Sequence, residues 1–93
     1  MKINKKDRSL IAQKAKEYDV SRIFLFGSSI DPGKKKANDI DLAAEGLNPK
    51  MFFKFYGDLI FALSKPVDLV DLTAKNSFNE YIKRYGFLFY EKK

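Results

Sequence analysis

The sequence contains no cysteine and no histidine. The first absence excludes disulfides and thiolate metal sites. The second removes the commonest general base and the commonest zinc ligand. Any metal held by this chain must then be a hard cation with oxygen ligands, and Mg²⁺ is the natural choice. Long apolar runs are missing too, since none approaches the roughly 18 residues that a membrane span needs. Met1 to Lys6 carries charge with no apolar h-region behind it. No signal peptide and no membrane partner are therefore expected, and the cytoplasm of a bacterium or archaeon is the expected location. No internal repeat, low-complexity stretch or linker is seen.

What is present is a chain of 93 residues, 45% hydrophobic and 32% charged, which is a globular composition. That length predicts one domain over residues 1–93, with a real but modest core. The 18 Lys and Arg against 12 Asp and Glu give a net charge of +6. Such a balance suits anionic partners such as nucleotides, nucleic acid or an acidic protein face, and it also serves solubility alone.

Helix and strand periods alternate along the chain. Asn4 or Asp7 caps a first helix that runs to about Tyr18, with Leu10, Ile11, Ala15 and Tyr18 on one face. Arg22 to Phe26 predicts a short central strand, ended by Gly27-Ser28-Ser29. Asp31-Pro32-Gly33 is a turn signal and Lys34-Lys35-Lys36 a charge run. The next strand, Asp39 to Ala44, turns Asp39 and Asp41 to one face and Ile40 and Leu42 to the other. Asn48-Pro49 opens a second helix with an apolar stripe of Phe52, Phe55, Tyr56, Leu59, Ile60 and Leu63, and Ser64-Lys65-Pro66 stops it. Val67 to Leu72 is a third strand. Thr73 to Tyr85 predicts a weak helix with Phe78, Tyr81, Ile82 and Tyr85 on one side, ended by Gly86. Phe87 to Tyr90 is a last short strand or an extended tail.

Two groups along this path carry chemistry. Gly27 at a strand end lets the backbone turn tightly and approach a phosphate. The N–H groups that follow and the Ser28 hydroxyl can donate to phosphate oxygens. Ten residues later, Asp39 and Asp41 place two like charges on one strand face, a repulsion that a divalent cation offsets. A carboxylate inside the apolar strand VDLVDL supplies a third arm, because a buried unpaired charge is expensive. Asp68 and Asp71 both qualify, on opposite faces. With no histidine, a carboxylate beside a metal is the sensible base.

Gly-Ser, ten residues, Asp-x-Asp and a third Asp on a later strand resembles the pattern of the DNA polymerase β-like nucleotidyltransferase superfamily. Chain length points to its minimal nucleotidyltransferase (MNT) branch, many of whose members are antitoxins of HEPN/MNT pairs. The resemblance implies an α+β fold, a small mixed β-sheet flanked by helices. It implies that Gly27 and Ser28 hold the triphosphate of an NTP, usually ATP, with Ser29 and Lys36 as further nucleotide-binding candidates. Asp39, Asp41 and Asp68 would be the catalytic and Mg²⁺-binding carboxylates. The implied activity is transfer of AMP to a partner protein, a tyrosine of a HEPN toxin. A binding-only antitoxin, or an enzyme acting on a small molecule or RNA end, are the alternatives. Many members carry Gly-Ser-x-Ala-Arg-Gly, whereas this chain has Gly27 to Gly33 without arginine, so Lys34, Lys35 or Lys36 could supply that charge.

Two aromatic features stand apart from this pattern. Phe53 and Phe61 lie off the second helix's stripe and read either as core or as a surface for a partner or a second copy of the chain, a homodimer. Tyr81, Lys83, Arg84 and Tyr85 interleave charge and rings, but no RNA-binding motif accompanies them and nucleic acid is not an expected partner.

Overall fold

A computed structural model describes residues 3–27 and 39–93. Helix α1 (Lys5–Glu17) is followed by strand β1 (Arg22–Leu25). Strand β2 (Ile40–Glu45) leads through a 3₁₀ turn (Pro49–Met51) into helix α2 (Phe52–Ala62) and strand β3 (Val67–Asp71). Helix α3 (Ser77–Tyr85) and strand β4 (Phe87–Glu91) complete the order.

The four strands form one sheet in the order β3-β2-β1-β4. β1 pairs antiparallel with both β2 and β4, while β2 and β3 are parallel, so the sheet is mixed. A parallel pair needs a crossover rather than a hairpin, and α2 supplies it. The expected α+β architecture is therefore present, with β1 an interior strand as its apolar composition predicts.

The strand period of two divides the side chains between two cores. Ile40, Leu42 and Ala44 of β2 join Ile23, Leu25, Val67 and Leu69 against Ile11 and Ala15 of α1 and Phe55 and Leu59 of α2. On the other face Phe24 and Ala43 pack with Leu72 and with Ile82 of α3. Helices α1 and α2 thus cover one face, and α3 covers part of the other.

Side-chain caps set the helix starts. Asn4 accepts the Asp7 N–H at 2.8 Å, Asn48 the Lys50 N–H at 3.0 Å, and Asn76 the Asn79 N–H at 2.8 Å. Helix α3 begins at Ser77 rather than Thr73, because the Asp71 carboxylate captures the N–H and hydroxyl of Thr73 at 2.9 and 2.7 Å and folds that segment into a turn. Asn79, buried, then donates to the carbonyls of Asp71 and Ala74.

The apolar stripes are narrower than their periodicity suggests. Of the α3 stripe only Ile82 is buried, while Phe78, Tyr81 and Tyr85 are more than half exposed. The sheet face under α3 offers it only a small apolar patch. In α2, Ile60 turns outward together with Phe53 and Phe61. Asp7, by contrast, is buried and accepts both the N–H and the hydroxyl of Ser64, tying the start of α1 to the end of α2.

Candidate active site

The C-terminal end of β1 and the N-terminal ends of β2 and β3 lie at one edge of the sheet, because β1 runs against the other two. Asp41 of β2 stands opposite Asp68 of β3 in the parallel register. Both point to the α3 face, since their neighbours Ile40, Leu42, Val67 and Leu69 all face α1 and α2. Asp41 is half-buried and Asp68 exposed. The Tyr56 hydroxyl donates to the Val67 carbonyl at 2.8 Å, which holds β3 to α2 just before Asp68.

Gly27 completes this edge. Its backbone is left-handed, at φ 62°, and a Cβ built on it would lie 2.7 Å from Oδ2 of Asp41. Residues with a side chain rarely adopt that conformation, and the carboxylate already occupies the space a side chain would take. Glycine here serves both the turn out of β1 and the close approach of Asp41.

Asp39 lies one residue before β2 begins and is exposed, so the strand starts later than the sequence predicts. Asp71, the competitor of Asp68, is committed to the Thr73 turn. Of the two, it is Asp68 that stands in register with Asp41. Ser28, Ser29 and Lys36 lie outside the described residues, as does the three-lysine run.

Among the described residues no three acidic side chains converge into a metal cluster. The in-register pair nonetheless fits Mg²⁺. That ion keeps several waters and takes one or two carboxylates together with substrate phosphate oxygens. Two like charges in adjacent strands repel each other, and a divalent cation between them relieves that repulsion.

The family model "Polymerase beta, Nucleotidyltransferase" matches residues 9–93. The chain belongs to this family. Comparison with curated proteins finds no match. Among solved structures, a chain of the MntA–HepT toxin–antitoxin complex matches at TM-score 0.68 and 23% identity, over 92% of this chain and 71% of that one. A toxin–antitoxin with AMP-PNP matches at TM-score 0.70 and 24% identity, over 97% and 76%. The tri-AMPylated HEPN toxin of Shewanella oneidensis in complex with MNT antitoxin matches at TM-score 0.69 and 24% identity, over 92% and 71%. These three establish likeness of fold.

Within this polymerase β-type nucleotidyltransferase fold, the polar edge has an aromatic flank that the sequence did not single out. Phe26 continues the β1 register, its N–H donating to the Asp41 carbonyl at 3.2 Å, and its ring leans on the core beneath α3. Phe78, at the start of α3, meets that ring edge-on at 5.9 Å between centroids. The signal available in the sequence was the shared period of Phe24 and Phe26 with the site face.

The basic and aromatic residues of α3 do come together. Tyr81, Lys83, Arg84 and Tyr85 line an open cleft of about 990 Å³ with Lys75. Lys83 there is paired with Glu45 and Glu80, each at 3.6 Å. No described helix is long and apolar enough to cross a membrane.

Proposed function

We propose that this chain is a Mg²⁺-dependent nucleotidyltransferase that moves AMP from ATP to a hydroxyl of a partner protein. The likeness to MNT antitoxin–HEPN toxin complexes, one with a tri-AMPylated toxin, supports a HEPN toxin as the partner; in this reading the acceptor is one of its tyrosines and the chain its cytoplasmic antitoxin. Residues 1–93 form a single nucleotidyltransferase domain in this reading. The observation that carries it is the Asp41–Asp68 register pair with Gly27 pressed against Asp41, at the end of a strand in a family whose chemistry is nucleotidyl transfer.

In the transfer, the acceptor oxygen bonds to the α-phosphorus, the α–β phosphoanhydride bond breaks, and pyrophosphate leaves. The backbone turn at Gly27 admits the triphosphate close to the sheet, with Ser28, Ser29 and Lys36 as its further contacts. Asp41 and Asp68, joined by Asp39, would hold Mg²⁺, which would supply charge neutralisation for the phosphates. Asp68 is exposed on its strand, and in this reading it takes the proton of the incoming hydroxyl. A phenol is a favourable acceptor, since its proton leaves more readily than that of an aliphatic alcohol.

The test uses ATP labelled at the α-phosphate, Mg²⁺ and the protein encoded by the neighbouring gene, which in this reading is a HEPN toxin. Label is expected on the partner, and it disappears with Asp41→Asn or Asp68→Asn while the melting temperature is retained. Failure of the intact chain to transfer from any of the common NTPs, with the partner bound, would refute the reading. Neutralisation of the toxin by the Asp41→Asn variant would assign the antitoxin effect to binding instead.

A further inference from the structure

We propose that Phe26 and Phe78 form the wall on which the base of the nucleotide stacks, and that this wall makes the site prefer purine nucleoside triphosphates. The inference rests on the nucleotide reading above and adds to it the subsite for the base.

Three residues stand side by side across the sheet edge: Phe26, Asp41 and Asp68. The backbone bond between Phe26 and Asp41 puts the first ring directly beside the first carboxylate. Behind this row the same sheet face is closed, with Phe24, Ala43, Leu72 and Ile82 all buried. A nucleotide whose phosphates lie at Gly27 and the two aspartates therefore cannot extend under α3. Among the described residues, the flank it meets is the aromatic pair.

Phe78 has the exposure such a role needs. Its ring is 54% exposed although it packs edge-on against Phe26. Edge-to-face packing leaves one face of a ring free, and a free aromatic face is a stacking platform for a base. Phe78 stands beside buried Asn79 and one turn before buried Ile82, which anchor α3, so the ring is held by the helix and not by its own burial. Stacking reads the π-face alone, and the larger bicyclic face of a purine gains more from it than a pyrimidine does.

The chain contains no tryptophan, which gives a direct readout. Phe78→Trp places the only indole of the molecule on the wall. In Mg²⁺, ATP is expected to quench that fluorescence, while inorganic tripolyphosphate binds without quenching. By calorimetry, Phe78→Ala is expected to weaken ATP about tenfold, to narrow the preference for ATP over CTP, and to leave tripolyphosphate affinity unchanged. Phe78→Tyr is expected to retain the affinity for ATP. Because the ring is half exposed, melting temperatures of these variants are expected to stay near that of the parent chain. Equal losses for ATP and tripolyphosphate in Phe78→Ala, or an unchanged affinity for ATP, would overturn the wall while leaving the phosphate site intact. Binding of neither ATP nor tripolyphosphate to the parent chain would overturn the nucleotide site, and the wall with it.

Discussion

The replacement Gly27→Ala tests the geometry of the site most directly. Two separable costs follow from the structure. The first is conformational: at φ 62° an L-residue pays about 1–2 kcal/mol relative to glycine. For a domain of this size that lowers the melting temperature by roughly 5–15 °C, read by calorimetry. The second is local. The new methyl would sit 2.7 Å from Oδ2 of Asp41, so the carboxylate has to withdraw by some tenths of an ångström or more. Misplacement of a reacting group by about 1 Å costs on the order of 10²-fold in rate, which sets the upper end of the expected loss in AMP transfer. Gly27→Asn separates the two costs. Asparagine tolerates the left-handed region, so stability should largely return, while its Cβ keeps the carboxylate displaced and transfer stays low. Gly57→Ala in α2 is the control, because a Cβ there meets nothing within 4 Å. It should stabilise the fold by about 0.5–1 kcal/mol with transfer unchanged. A Gly27→Ala protein with the parent's transfer rate would refute the argument that Asp41 acts from the position it holds against that glycine.

Other outcomes follow from burial and charge. Phe55→Ala, at a fully buried ring, should cost about 3–5 kcal/mol in denaturant unfolding, whereas Phe61→Ala, at a ring 95% exposed, should change stability by no more than about 0.5 kcal/mol. Comparable losses at both positions would contradict the assignment of Phe61 to the surface. The Tyr18 phenol is pushed up from 10.0 to about 12, first by its hydrogen bond to the Asp58 carboxylate, then by desolvation and by the charges of Asp58 and Glu17. A raised folded-state pKa means that this bond's contribution to stability is complete below pH 10 and is lost as pH rises through about 12. Phenolate absorbance should show one of the five tyrosines ionising late, and that component should vanish in Tyr18→Phe and move back towards 10 in Asp58→Asn. A single common transition for all five would contradict it.

Local punctuation in the sequence located most of the elements. Asn4, Asn48-Pro49 and Ser64-Lys65-Pro66 act on their nearest neighbours, so their effect is written in adjacent residues. The alternation around Asp41 likewise fixed which face of β2 is polar. What stayed hidden was decided by partners distant along the chain. Asp7 is buried because Ser64 meets it, and no periodicity announces that pairing. That Asp68 pairs in register with Asp41 while Asp71 closes on Thr73 depends on how β3 sits beside β2, which its own alternation does not state. The apolar stripe of α3 was legible, but the width of the sheet face beneath it was not, and that width leaves Phe78 at the site's flank and Tyr81 and Tyr85 in solvent.

The two carboxylates are mounted unequally. Asp41 belongs to a strand bonded on both sides, by β1 and by β3, whereas β3 is an edge among the described strands and holds Asp68 by a single ladder and the Tyr56 tether. Interior strands open with the whole fold, while edge strands fluctuate at lower cost. The strand under Asp41 is therefore bonded more firmly than the strand under Asp68. If the proposed site takes a polyphosphate and its cation, one of the two carboxylates that would hold them stands on a firmly bonded strand and the other on a more yielding one.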